Sequence, residues 1–391
     1  MPLNLSAFLM SVRPPLPPRR TSRGPPPIPP RPSRPPDVDL ARALARRPPP
    51  PPVKPQRVAP IACLECRDFT EPDAHAALFP RQSVASLDHL AHDLTARFAS
   101  DTDKARAIFT WLHHNIAYDA PSFFSGNIRP ATADSTLSSG LAVCDGYAGL
   151  FVALAARAGI EARKISGHGK GVGFLPPDPG APVPPYSSGH AWNCALLDGT
   201  WRLIDPCWGA GALHGTTYQP GFAPRWFTSS PIDFVRTHYP EDPAYQLLSS
   251  DEGGPVSWED YIMEPAGPTI FLDFYALSLW PAALQPPTRD IHAHTHVSFQ
   301  LFKRCEHMSM AEADNFVFII SLGKERIPLA PNDAGGWSAD AYIPSGVQEV
   351  SLYSVTTVDG RDAKGFGLQA FKSALGRKAM TFGGLARWNV I

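Results

Sequence analysis

Long apolar runs, regularly spaced cysteines and an excess of charge of either sign are all missing from this 391-residue sequence. No stretch approaches the roughly 18–20 apolar residues that span a bilayer, so no transmembrane helix is expected. The N-terminus, MPLNLSAFLMSVRPPLPPRR, has no basic residue ahead of its short apolar stretch and no small-residue cleavage site. It does not read as a signal peptide. The six cysteines form no framework, which argues against a disulfide scaffold and fits free thiols in a reducing compartment. With 35 Lys and Arg against 36 Asp and Glu, the whole molecule has no electrostatic footprint for nucleic acid. No EF-hand or clustered acidic loop offers a calcium site. SGHGKG at 166–171 is glycine-rich without a phosphate-loop pattern and reads as a tight turn. There is no internal repeat. No cofactor is expected, no metal is assigned, and the cytoplasm is the default location.

The near-zero net charge conceals an asymmetry. Residues 1–60 hold 20 of the 45 prolines and 11 Lys or Arg against 2 acidic residues; the remainder is mildly acidic. Proline removes backbone donors and blocks helix, and little here is apolar enough to bury, so this arm is expected to be disordered with polyproline II character. Three PxxPx(Arg/Lys) matches occur in it. They are Pro14, Pro17 and Arg19; Pro26, Pro29 and Arg31; and Pro49, Pro52 and Lys54. A polyproline helix places such prolines on one face, for aromatic pockets, with the cation set for an acidic one, which is the pattern of an SH3 ligand. The same matches arise readily in a proline-rich solvated spacer.

From 61 to about 125 the pattern is helical. Ser86 or a neighbour is expected to cap a segment with Leu87, Leu90, Leu94 and Phe98 on one stripe. Asp101–Thr102 is expected to cap the next helix, which puts Ala105, Ile108, Trp111, Leu112 and Ile116 on one face. Thr136–Ser139 with Gly140 reads as a loop. CDGYAGLFVALAARAG is a helix burying Tyr147, Leu150, Phe151 and Leu154 and ending at Gly159. EARKISGHG, HAWNCALL and TWRLIDPCW read as strands, the last two joined by an Asp198–Gly199 hairpin turn, with a Pro/Gly/Ser loop over 175–188. Beyond about 290, VSFQLF, FVFIISL, SADAYI and EVSLYSVTTV alternate like an antiparallel sandwich, and 225–290 reads as connection. The expected organisation is an arm (1–60), a catalytic domain (61–265) and a C-terminal β-rich domain (266–391).

A helix that begins with Cys144, a strand headed by His190 and a strand ending at Asp205 make a chemical arrangement. Backbone N–H groups at a helix N-terminus stabilise a thiolate, and a neighbouring imidazolium does so further. A hairpin can bring His190 and Asp205 side by side, so that the carboxylate fixes the tautomer and supports the positive charge. The Cys144 N–H is a natural oxyanion donor. Taken singly, each residue is as well explained by packing or by a turn. Their order and placement together are not.

LAVCDGYAGLFVALAARAGIEARKISGHGKG, GHAWNCALLDGTWRLIDPCWGAG and ARAIFTWLHHNIAYD resemble the transglutaminase-like core domain, over roughly residues 70–265. The branch they are most similar to holds kyphoscoliosis peptidase-like proteins and fungal cytokinesis proteins, and RWFTSSPIDFVRTHYPEDPAYQLL resembles it too. The resemblance implies a papain-like α+β fold, with Cys144 as nucleophile, His190 as its histidine and Asp205 as its aspartate. Some fungal members lack these residues, so their presence here is informative. It implies acyl chemistry on protein amides through a thioester, with water (peptidase, deamidase) or a lysine amine (crosslinking) as acceptor.

Trp192 and Trp208 either wall the substrate cleft or pack beside the site, and Tyr118 is a further candidate contact. Cys194 and Cys207 read as packing. Cys63 and Cys66 form a lone CxxC that with His75 offers three zinc ligands, but no second pair completes the set. His113–His114 on a helix and the HAHTH run at 292–296 are further metal candidates; the run sets its histidines at alternate positions, as a strand would, but no carboxylate or cysteine is close to it. Two functions stay open. One is an active cysteine acyltransferase or peptidase on a protein substrate. The other is an interaction protein whose domain binds a partner and whose arm recruits SH3 proteins, at the division site or cytoskeleton.

Overall fold

The computed structural model describes residues 63–391 apart from Pro179, Glu306 and 308–314. The proline-rich arm and its three SH3-type matches lie outside the described residues. Among those described, no helix is long and apolar enough to cross a membrane.

Three helices open the first half: α1 (Thr70–Ala76), α2 (Leu87–Thr95) and α3 (Asp101–Asn115). The Ser86 hydroxyl accepts from the His89 N–H and starts α2 as expected. The cap of α3 is Ser100, whose hydroxyl accepts from the Asp103 N–H, rather than Asp101–Thr102. Asp101 sits inside the first turn instead, where its charge suits the helix dipole. Ala105, Ile108, Trp111, Leu112 and Ile116 are all buried. Each large apolar side chain so buried contributes about 1.5–3 kcal/mol.

Two short strands, β1 (Ala117–Tyr118) and β2 (Leu141–Ala142), pair in parallel. Between them the stretch read as a loop holds a seven-residue helix, Ala133–Ser139, closed by a Thr132–Ser135 capping box and by Gly140 at φ +69°. Serine and threonine hid this helix from the sequence reading, because their low propensity is offset by the cap. Helix α4 (Cys144–Arg157) then crosses the core. Tyr147, Leu150, Phe151 and Leu154 are fully buried, and Gly159 at φ +79° ends it.

Strands β3 (Ala162–Gly169), β4 (His190–Leu197) and β5 (Thr200–Ile204) form an antiparallel sheet in the order β5–β4–β3, and α4 packs on it. The expected hairpin has Asp198 and Gly199 both at positive φ, +47° and +84°. Helix α5 (Pro206–Ala210) follows β5 directly. A fourth strand, β6 (His238–Pro240), joins the far side of β3. The stretch read as connection therefore supplies part of the central sheet. Residues 166–169 of the glycine-rich run belong to a strand rather than to a tight turn.

The second half holds β7 (His296–Leu301), β8 (Phe318–Leu322), β9 (Glu325–Pro328), β10 (Trp337–Tyr342), β11 (Glu349–Val358) and β12 (Met380–Val390). The larger sheet runs β12–β11–β8–β9 and the smaller contains β7–β10; both are antiparallel along these strands. They share one buried cluster, in which Phe318 meets Trp337 (4.8 Å between ring centres) and Phe299 meets Trp388 (5.2 Å). This is the sandwich-like arrangement expected. Its longest strand, β12, was not read as one, because Gly383 and Gly384 break its alternation where the register shifts opposite Leu352 and Tyr353. All described residues belong to one compact unit, Val58–Ile391, that carries the two main cores in series.

Candidate functional site

Cys144 is the first residue of α4. Val143 before it is extended (φ −88°, ψ −179°) and offers no side-chain acceptor to the first turn, which is left with its amides pointing past Cys144. Strand β2 delivers the chain to this point. The approach is close: a Cβ on Gly146 would meet the Ala142 Cβ at 2.8 Å. Cys144 is half-buried, whereas Cys194 and Cys207 are buried. Burial pushes the Cys194 thiol up to about 11 and, with the Asp205 charge, pushes Cys207 well above its ordinary value. Packing accounts for both.

His190 opens β4 and Asp205 closes β5, so the hairpin sets them together. The His190 Nε2–H donates to Asp205 Oδ2 at 2.8 Å. The carboxylate is fully buried and completely engaged. Oδ1 caps α5 by accepting from the Cys207 N–H (2.9 Å) and the Trp208 N–H (3.0 Å). Oδ2 accepts from His190 and also from the His238 Nε2–H at 3.0 Å. Asp205 thus starts a helix turn and holds the histidine at once. With Nε2 occupied, Nδ1 of His190 is left for Cys144, and a side-chain hydrogen bond between the two is among the interactions that raise the histidine.

His238 was missed in the sequence. It lies on β6, 33 residues beyond Asp205. Its ring is fully buried, and Nδ1 accepts from the Thr237 hydroxyl at 2.9 Å. The signal that pointed to it was the alternation in SGHG. Gly167 pairs with His190 on one side of β3, and Gly169 pairs with His238 on the other. A Cβ on Gly169 would stand 3.0–3.1 Å from the His190 side chain; one on Gly167 would meet the Tyr239 carbonyl at 2.2 Å and Trp192 at 2.5 Å. The two glycines let both flanking strands lean their histidines toward one carboxylate.

The two histidines titrate apart. Burial works against charge on His190, but the Asp205 carboxylate and its hydrogen bond, then Cys144, outweigh it and push the pKa up to about 9. His238 is pushed down to about 4, first by burial, with the Asp205 hydrogen bond opposing. Asp205 is itself held well below the usual carboxylate range: burial raises it, but His190, and then His238, more than compensate. The resting group is therefore a charged His190, an ionised Asp205 and a neutral His238.

Trp208 stacks on His190, with ring centres 4.6 Å apart at 22°, and lies 4.4 Å from the His238 ring. Trp192 is fully buried in the core beneath them. Of the two, Trp208 is the one that covers the histidine pair, and Trp192 packs. Tyr118 is partly buried, and its hydroxyl is pushed above its ordinary range by burial and then by Cys207 and Cys144. The 175–188 loop is held to the neighbouring aromatic cluster, where the Trp258 Nε1–H donates to the Pro184 carbonyl at 2.7 Å.

Two donor sets converge among the described residues. His190, Asp205 and His238 form one, and its two Nε2 atoms and Asp205 Oδ2 are engaged in the two hydrogen bonds already described. Cys63, Cys66, Cys305 and His307 form the other. His75 is not part of it: its Nε2 bonds the Asp93 carbonyl at 2.9 Å. His113 bonds the Ala210 carbonyl. His292 and His294 precede β7 and His296 opens it, and neither His113–His114 nor this run joins a donor set.

Residues 88–206, which include Cys144, His190 and Asp205, match the family model of the Transglutaminase-like superfamily. The chain is similar to the kyphoscoliosis peptidase of Mus musculus, at 32% identity over 190 residues, 47% of this chain and 27% of that protein. It is similar to the Lim and transglutaminase domain protein ltd-1 of Caenorhabditis elegans, at 28% over 193 residues, 46% of this chain and 26% of that one. Hillarin of Drosophila melanogaster matches at 25% over 193 residues, 46% of this chain and 23% of that one. The chain thus spans about a quarter of the length of these relatives.

Proposed function

We propose that this chain, which carries a transglutaminase-like domain, performs cysteine-dependent acyl chemistry on protein amide groups through Cys144, His190 and Asp205. The observation that supports the reading is His190 held on one nitrogen by the buried Asp205 and pushed up by it, with Cys144 at a helix N-terminus among the groups that raise the histidine. The Cys144 thiolate attacks the amide carbon, and the backbone N–H of Cys144 stabilises the oxyanion. As the C–N bond breaks, His190 gives its proton to the leaving amine, and a thioester remains. Neutral His190 then takes a proton from water or from a lysine amine as it attacks the thioester, and the thiolate leaves. Trp208 shields the imidazolium from solvent. Tyr118 borders the cysteine side of the site. Residues 61–265 form the catalytic part of this proposal and 266–391 an accessory β-rich part.

The second reading is a scaffold, and the three PxxP matches of the arm favour it. In it the domain binds a protein partner, SH3 proteins bind the arm, and the chain works in the cytoplasm at the division site or cytoskeleton. One set of assays separates the two. Unfolded casein is incubated with the full chain, with Cys144→Ala and with His190→Ala. Peptide release, ammonia release and incorporation of a biotinylated alkylamine are measured in parallel. Product in any channel that disappears in both variants supports the enzyme and names its acceptor. Product that survives Cys144→Ala, or no product together with slow carboxymethylation of Cys144 at about pH 6, sinks the enzyme reading in favour of the scaffold.

A further inference from the structure

We propose that Cys63, Cys66, Cys305 and His307 are the ligands of a structural zinc ion that staples the start of the first half to the second. The four ligand atoms all lie within 4.8 Å of one another. The Cys63 and Cys305 sulfurs are 3.8 Å apart; His307 Nδ1 stands 3.5 Å from the Cys66 sulfur and 3.4 Å from that of Cys305. Zinc bonds of about 2.3 Å to sulfur and about 2.0–2.1 Å to nitrogen, at tetrahedral angles, give edges of about 3.8 and 3.5 Å. Three edges of the cluster already have those lengths. Cys66 and Cys305 are joined sulfur to sulfur in the structure. That bond engages two of the four groups and gives no reason for Cys63 and His307 to converge on the same two sulfurs.

The backbone gathers the ligands and aims one donor at a sulfur. Cys63-x-x-Cys66 is a turn in which the Arg67 N–H donates to the Cys63 carbonyl at 3.2 Å. On the other side, the His307 N–H donates to the Cys305 sulfur at 3.3 Å. Arg202 lies within electrostatic range of Cys63. Once a thiol reductant has opened the Cys66–Cys305 bond, itself being oxidised to a disulfide, three thiols release their protons to the bound metal and the neutral imidazole of His307 contributes Nδ1, leaving one net negative charge beside that guanidinium. The set is Cys₃His and closed, which is the form of a structural site rather than a catalytic one. Its halves lie 239 residues apart, so the metal ties the segment leading into α1 to the loop after β7.

The test is metal analysis by mass spectrometry on the full chain purified with a reducing agent from zinc-supplemented cells. Expected is about one zinc per chain, lost in Cys63→Ser and in His307→Ala and retained in Cys144→Ala. Because these variants can fail to fold, X-ray absorption on the unmutated chain gives the second readout: three sulfurs and one nitrogen around zinc. A Cys66–Cys305 disulfide behaves differently, since it does not need Cys63 and lowers the mass by two hydrogens until reduced. Zinc-free protein, with that disulfide or with free thiols, overturns the proposal. So does zinc that survives Cys63→Ser or shows another ligand count.

Discussion

At the scale of the residue, the site is governed by one carboxylate. Asp205 holds two histidines and separates their charges, so its substitution has a computable sign. In Asp205→Asn the burial of His190 persists while the charge that overrides it is gone. The histidine then falls from about 9 to below its ordinary value of ~6.5. Under the proposed acyl chemistry, the basic limb of kcat, where His190 can no longer protonate the leaving amine, is expected near pH 9 in the unmutated chain and below about 6.5 in the variant. A kcat loss of about 10⁴-fold accompanies it. A basic limb that stays put in Asp205→Asn removes Asp205 from the role. Stability follows the same shifts. The raised His190 contributes fully below ~6.5, and its contribution is lost as pH rises toward 9. The lowered His238 contributes fully above ~6.5, and its contribution is lost as pH falls toward 4. Melting temperature is therefore expected to peak near neutrality, and a monotonic profile between pH 4 and 9 would contradict these assignments.

At the scale of the element, strand β3 makes the site possible by what it omits. A methyl group at Gly167 collides with the backbone carbonyl of Tyr239, and one at Gly169 presses only on the His190 side chain. Gly167→Ala is accordingly expected to destabilise the fold by about 1–3 kcal/mol or more, read by urea unfolding. Gly169→Ala keeps most of the stability and loses kcat, because the imidazole must shift. Equal effects of the two on stability would mean that the sheet adapts. Helix packing offers a second check. Arg106 of α3 is buried, with Nε and Nη2 donating to the two Asp73 oxygens of α1 at 2.7 and 2.8 Å, and its guanidinium lies 4.6 Å from the Phe69 ring. Asp73→Ala leaves that charge uncompensated, with a loss of about 3–5 kcal/mol expected in the same melts.

The same elements show what the sequence made legible. Cys144 at a helix start and the Asp–Gly hairpin were readable because each is written in contiguous residues with a strong local rule. His238 was not, since its meaning depends on β6 pairing with β3, which three residues of strand cannot announce. Gly167 and Gly169 carried the trace of that pairing, but a glycine vacancy in sequence does not say what fills it. Cys63 and Cys66 were visible as half of a ligand set whose other half is far along the chain.

At the scale of the whole molecule, the two cores meet through a buried polar junction. The Arg304 guanidinium, only 6% exposed, lies 3.0 Å from Glu65 and 3.5 Å from Asp233, and it donates to the Ser229 hydroxyl at 3.2 Å. The Trp280 Nε1–H adds a bond to Asp233 at 2.9 Å. A cation from the second half thus lies between two carboxylates of the first. Burial raises Glu65, and Arg304 is the main influence opposing it. Arg304→Met fills similar volume without charge, so Glu65 rises further and takes up a proton. An acid whose folded pKa is raised stabilises the fold below that pKa, and the benefit is lost as pH climbs through it. The variant is therefore expected to be close to the unmutated chain near pH 5 and to lose about 3–5 kcal/mol by pH 8, where the buried carboxylates have lost their cation. The unmutated chain should unfold in one transition. At pH 8 the variant should unfold in two, because the junction that couples the cores has been removed while each core keeps its own apolar contacts. A single transition at both pH values, with a deficit that does not change, would show that apolar contacts alone hold the halves together.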